Sequence, residues 1–130
     1  EHDLRLAVEN CPMPGWQVEE MPGNLAFSPE LWEKLFTHAR SERVGLNFDP
    51  SHLHWLGTNI LETVTAYAER IFHVHAKDAE LFRDRLSDCT CLRPNGGWWR
   101  YRLPGLGEKV LEPCRPPLTT LRTSAAYPPW

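Results

Sequence analysis

Three short apolar runs, LRLAVEN (4–10), VGLNF (44–48) and IFHVHA (71–76), are separated by two stretches whose apolar residues recur with a helical period. This alternation constrains the fold more than any other feature. Strand, helix, strand, helix, strand is the signature of parallel βα units joined by right-handed crossovers. The first intervening stretch, FSPELWEKLFTHAR, predicts a helix with Ser28 as N-cap, Pro29 in its first position, Glu30 in its first turn and a stripe of Leu31, Trp32, Leu35 and Phe36. The second, GTNILETVTAYAER, predicts a helix over 59–69, with Ile60, Leu61, Val64 and Tyr67 or Ala68 on its buried side.

Beyond the third strand the pattern weakens. KDAELFRDRLSD (77–88) is charged and predicts a short helix, and NGGWWRYRLPGLGE (95–108) reads as loop with a hairpin. Residues 109–130 hold five of the twelve prolines and show neither a 3.6-residue nor a 2-residue apolar period, so neither helix nor strand is expected there. A natural irregular tail and a shifted reading frame would both produce such text. The expected division is therefore 1–108 as the folded unit and 109–130 as a Pro-rich tail.

At 130 residues the chain is one small domain or part of one, well short of the roughly 250 residues of a closed (β/α)8 barrel. Its formal charge of −3 and pI near 6.1 supply no basic field for collecting phosphates, so nucleic acid is not the favoured partner. A small or neutral substrate suits it better. With no apolar run long enough to span a membrane and no basic, then apolar, leader, a soluble, unsecreted, cytoplasmic protein is expected. Cys11, Cys89, Cys91 and Cys114 are too few and too scattered for a disulfide scaffold, and they read as free thiols.

The chemistry gathers at the strand ends. Glu9 closes the first run, Asp49 and His52 follow the second, and His75 ends the third. In parallel α/β architectures the carboxyl ends of adjacent strands converge on the face where ligands bind. Two carboxylates and an imidazole suit Mn2+, Mg2+, Co2+ or Zn2+, which makes Glu9, Asp49 and His75 candidate metal ligands. Taken singly, each has a plainer role: Glu9 as a loop carboxylate on backbone amides, Asp49 as an Asx-type turn before Pro50, His75 as a satisfied buried histidine. His73 shares a face with His75 but lies farther from the strand end. Trp98, Trp99 and Tyr101 could line a sugar-binding rim with Trp16 closing over them, or could anchor long loops by packing.

LAVENCPM, GLNFDPSHL, FHVHAKD and RLPGLGE, in this order, resemble the sugar phosphate isomerase/epimerase superfamily, the xylose isomerase-like TIM barrels that also include type 2 AP endonucleases. The resemblance covers residues 1 to about 108 and implies strands five to seven of a partial (β/α)8 barrel, a C-terminal part ending before the closing strand. It implies Glu9, Asp49 and His75 as metal ligands and His52 as their companion near substrate and metal. It also implies Glu9 as one acid/base, and the Glu of strand eight as the other, in proton transfer through an enediolate of a small ketose or polyol, a step that related dehydratases share, with His52 hydrogen-bonding a substrate oxygen and Lys77 helping to neutralise the enediolate or a phosphate. The family's fourth ligand, a Glu on strand eight, has no counterpart carried over here, and Glu112 stands in no strand context. The alternatives are an AP endonuclease-type phosphodiesterase and a catalytically silent fragment. Oligomeric state is left open.

Overall fold

A computed structural model describes residues 4–13, 23–91 and 97–117. Strands β1 (Leu6–Glu9), β2 (Val44–Phe48) and β3 (Ile71–Val74) form a parallel sheet in that spatial order. Leu6 to Glu9 pair with Val44 to Asn47 without a break. Between β2 and β3 the register slips: Leu46 faces Ile71 but Asn47 faces His73. The bulge advances β3, and His75 leaves the ladder one residue after the strand, where its N–H donates to the Phe48 carbonyl at 2.9 Å.

One face of this sheet carries the main core. Leu46 and Phe48 are fully buried and meet Trp32, Leu53 and Val64, as alternation along a strand requires. Gly45, just before Leu46, has no room for a side chain, which would overlap the Arg70 carbonyl and the Phe72 ring.

Helix α1 (Pro29–Ala39) has the expected limits, with Ser28 at the N-cap position although its hydroxyl makes no capping bond. The helix stops where Arg40 turns left-handed (φ 47°) and its N–H returns to the Phe36 carbonyl. Trp32 is the buried residue of its stripe, edge-on to Phe48 and Tyr67, and its indole N–H donates to the Ala26 carbonyl.

Helix α2 (Pro50–Trp55) was not foreseen. Asp49 caps it: its Oδ1 accepts the Ser51 N–H at 3.0 Å and the Ser51 hydroxyl at 2.6 Å, while Pro50 takes the first position, where no N–H is needed. Helix α3 (Ile60–Ala66) is shorter than the expected 59–69, since the chain tightens into a 3-10 turn at Ala68–Arg70. Ile60 and Val64 face the core, but Leu61, expected inside, is 51% exposed.

Residues 77–88 are not one helix. Asp78–Leu81 form β4, which pairs antiparallel with β5 (Trp99–Arg102), and only then come a 3-10 turn at Arg83–Arg85 and the short α4 (Leu86–Cys89). Glu80, one of the charged residues that suggested a helix, is instead a cross-strand partner: Arg100 and Arg102 reach it at 2.7 and 3.3 Å. The hairpin expected within 95–108 thus takes its other strand from farther back in the chain.

The expectation of no helix or strand beyond 108 also needs correction over 109–117, which holds a 3-10 turn at Glu112–Cys114 and a further helical turn at 115–117. Val110 and Cys114, four residues apart, are buried in the main core. Proline density masked that single apolar pair. All four cysteines are free thiols, and burial pushes the Cys114 thiol up to about 11. Among the described residues no helix is long and apolar enough to cross a membrane.

Candidate functional site

The carboxyl end of the sheet collects the candidate residues. Asn10, the first residue after β1, is fully buried and uses its side-chain amide as a missing strand partner: Nδ2 donates to the Asp49 carbonyl at 2.9 Å and Oδ1 accepts the Asp49 N–H at 2.6 Å. This reciprocal pair fixes the backbone of Asp49 where the ladder has ended. The Asp49 carboxylate is then divided. Oδ1 caps α2, and Oδ2 faces the neighbouring strand ends.

Oδ2 of Asp49 lies 2.8 Å from Lys77 Nζ and 3.3 Å from His52 Nε2. Neither contact has hydrogen-bond geometry, so this fully buried oxygen is compensated by charge but has no hydrogen bond. Burial pushes the carboxyl up, and His52, Lys77 and the Ser51 hydroxyl more than reverse this, holding it at about 2. It is an anion at neutral pH.

His52 comes from α2, is 2% exposed, and brings Nε2 to 3.8 Å from Glu9 Oε1. His75 places Nδ1 3.0 Å from the same Glu9 oxygen and 3.9 Å from Asp49 Oδ2, while its Nε2 meets the Asn47 amide nitrogen at 3.0 Å. Asn47 in turn contacts His73 Nδ1 at 2.8 Å through its oxygen. One ligand atom each of Glu9, Asp49 and His52 lies within 4.8 Å of the others. His52, expected as a companion, thus stands in this group, and His75, the expected imidazole ligand, lies as near the same two carboxylate oxygens, at 3.0 and 3.9 Å against 3.8 and 3.3 Å for His52. The donor set and the hydrogen-bond-free Asp49 oxygen suit a hard or borderline divalent ion.

Two residues missed in the sequence shape the surroundings. Asp78 is 1% exposed, and its Oδ2 accepts N–H bonds from Gly105, Gly107 and Lys109 while Oδ1 accepts from Ala79 and Val110. One carboxylate thereby folds the PGLGE loop against β4. Glu108 ends that loop and ties it to both sides, bidentate with Arg83 at 2.8 and 2.9 Å and with His54 Nε2 at 2.8 Å. The clustered glycines of 105–107 around a buried acid were the available signal.

Trp98 and Trp99, expected at a rim, are buried. Trp99 lies flat on Trp55, ring centroids 4.3 Å apart, and Trp98 donates its N–H to the Cys91 carbonyl at 3.4 Å. Their contacts match the packing alternative. Tyr101 reaches the site itself: its hydroxyl is 2.6 Å from His52 Nδ1 and its ring lies under Lys77 Nζ at 4.1 Å. Trp16 lies outside the described residues.

A parallel βα sheet with acids and imidazoles gathered at its strand ends defines an α/β protein of the barrel-forming kind. The sequence pattern described as xylose isomerase-like TIM barrel matches residues 1–115, and the chain belongs to that family. The uncharacterized protein YfiH of Bacillus subtilis (strain 168) is 35% identical over 109 residues, covering 79% of this chain and 34% of that protein. The inosose dehydratase of Clostridium perfringens (strain 13 / Type A) is 32% identical over 97 residues, covering 70% of this chain and 31% of the relative. The chain thus spans about a third of the length of these relatives.

Proposed function

We propose that this chain carries part of the active site of a metal-dependent enzyme that moves a proton at a carbon beside a carbonyl in a small sugar or polyol derivative. The supporting observation is the convergence of Glu9, Asp49 and His52 within 4.8 Å at the strand ends, with a buried Asp49 oxygen that has no hydrogen bond. The inosose dehydratase relative points to a polyol-derived ketone as substrate class.

Glu9, Asp49 and His52, with His75 alongside, would hold the ion, whose contribution when bound is to polarise a carbonyl and its neighbouring hydroxyl. Glu9 is the residue placed to take and return the proton, because its side chain is 38% exposed while Asp49 is fully buried. His75 at 3.0 Å orients the Glu9 carboxylate. The Lys77 ammonium, a third exposed, can face solvent or a developing enediolate oxygen while keeping Asp49 ionised. The net charge of −3 disfavours the DNA-cleaving alternative.

Calorimetric titration with Mn2+, Mg2+, Co2+ and Zn2+ should show saturable binding that Glu9→Gln, Asp49→Asn and His52→Gln each weaken at least tenfold. Solvent deuterium should enter an inosose or ketose beside its carbonyl, and Glu9→Gln should abolish that exchange. Unchanged metal binding in all three variants would remove the proposed centre, and cleavage of abasic DNA instead of exchange would redirect the reading to a phosphodiesterase.

A further inference from the structure

We propose that Lys77 is a built-in rival of the divalent ion: its ammonium lies against two of the donor atoms the ion would use, so ion binding expels it from the strand-end cluster. The proposal rests on the metal reading of Glu9, Asp49 and His52 and adds to it a cation exchange carried by the chain itself.

Lys77 Nζ lies 2.8 Å from Asp49 Oδ2 and 3.1 Å from His52 Nε2, and those two atoms are 3.3 Å apart. A divalent ion approaches a carboxylate oxygen or an imidazole nitrogen to roughly 2.0–2.2 Å, so it would use the same short gap. Asp49 has no second oxygen to offer. Its Oδ1 is engaged with the Ser51 N–H and hydroxyl, and Oδ2 is buried. One buried oxygen would then hold two cations a few ångströms apart, which repulsion between like charges opposes.

The charges of the cluster point the same way. Glu9 and Asp49 bring two carboxylates, and the ammonium offsets one of them, so a dication meets half the charge that would balance its own. Withdrawal of Lys77 restores the match.

Lys77 is also the member of the cluster able to move. Its side chain is a third exposed, whereas those of Asp49 and His52 are buried, and its ammonium rides on a flexible aliphatic stem. The backbone beneath it stays put: the Lys77 N–H donates to the His75 carbonyl at 3.0 Å, and the next residue, Asp78, is held by the N–H groups of Ala79, Gly105, Gly107, Lys109 and Val110. The remaining neighbour of the ammonium is the Tyr101 ring face, 4.1 Å from Nζ, a weaker hold than a buried carboxylate. Exchange therefore costs a side-chain rotation and no rearrangement of the fold.

The test compares calorimetric titration with Mn2+ of the unmutated chain, Lys77→Met and Lys77→Arg. Lys77→Met should bind Mn2+ at least tenfold more tightly, while Lys77→Arg, which keeps the charge, should not gain. Loss of a merely structural contact would loosen the cluster and weaken binding, the opposite sign. Equal or weaker binding by Lys77→Met overturns the proposal and leaves the metal reading intact, as does an equal gain by Lys77→Arg; no Mn2+ binding by any of the three chains removes both. Should Lys77→Met fail to fold, acetylation of the unmutated chain by acetic anhydride decides, read by mass spectrometry at Lys77 against the exposed Lys34. Saturating Mn2+ should raise labelling of Lys77 severalfold relative to Lys34, and an unchanged or lower ratio overturns the proposal.

Discussion

The side chain of Asn10 makes both hydrogen bonds to the backbone of Asp49, donating to its carbonyl at 2.9 Å and accepting its N–H at 2.6 Å. All four groups are buried, so β1 and β2 stay joined one step beyond their last ladder pair, at the level where the site begins. Asn10→Ala would leave a buried N–H and a buried carbonyl without partners. The expected loss is about 2–4 kcal/mol at roughly 1–3 per orphaned group, offset in part by relaxation. Urea unfolding would measure it, and metal titration should show weakened binding, because Asp49 loses the bond that sets its height.

Lys77 is the cation nearest Asp49 Oδ2, at 2.8 Å. Lys77→Met would leave the carboxylate buried beside His52 alone, and the expected cost is about 2 kcal/mol, below the 3–5 of fully buried pairs because Lys77 is a third exposed. Acid sensitivity should change as well. The Asp49 carboxyl sits at about 2 in the fold against an ordinary 3.8, so its stabilising contribution is complete above about pH 4 and is lost as pH falls towards 2. Removing the lysine raises the folded value and should move acid unfolding to higher pH, as followed by circular dichroism.

Asp78→Asn would replace an acceptor of three N–H groups by an amide that either offers its own N–H to them or abandons the two on the other oxygen. A loss of about 3 kcal/mol or more is expected. Hydrogen exchange should locate it: the amides of Gly105, Gly107 and Lys109 should lose protection before those of β2. A uniform change across the chain would show that the loop is not the unit that opens.

Glu108 carries a second acid-sensitive contact. Arg83 draws its carboxyl down, burial opposes this, and His54 adds to the lowering, leaving it at about 2 against an ordinary 4.5. The contribution is therefore fully present above about pH 4.5 and fades as pH drops through that window. Arg83 is 63% exposed, so Glu108→Gln should cost less than about 1 kcal/mol near neutrality. The gap between the two proteins in thermal midpoint should close as pH is lowered, and about 0.5 M salt should shrink it.

Residues 44–48 and 29–39 needed no tertiary knowledge, because a buried strand and a capped amphipathic helix state their own periods. The gathering of Glu9, Asp49 and His75 at one end of the sheet was legible for the same reason: a strand that ends on a polar side chain in a parallel βα series has one place to put it. Partnerships were not legible. Asp49 caps a helix with one oxygen and faces Glu9, His52 and Lys77 with the other, so the capping role and a place among the strand-end groups coexist, and only the position of Ser51 and Lys77 in space shows the division. The charges of 77–88 suggested a helix because the partner that makes Asp78–Leu81 a strand lies some twenty residues away, beyond the reach of local propensity. His52 joined Glu9 and Asp49 through an unforeseen helical turn after β2, Val110 and Cys114 entered a core that their proline-rich context concealed, and Tyr101 met His52 across forty-nine residues. By itself the sequence determined which residues carry charge and where strands end. Packing of distant segments decided which of those charges face one another, because the energy of a buried ion depends on partners that no local pattern names.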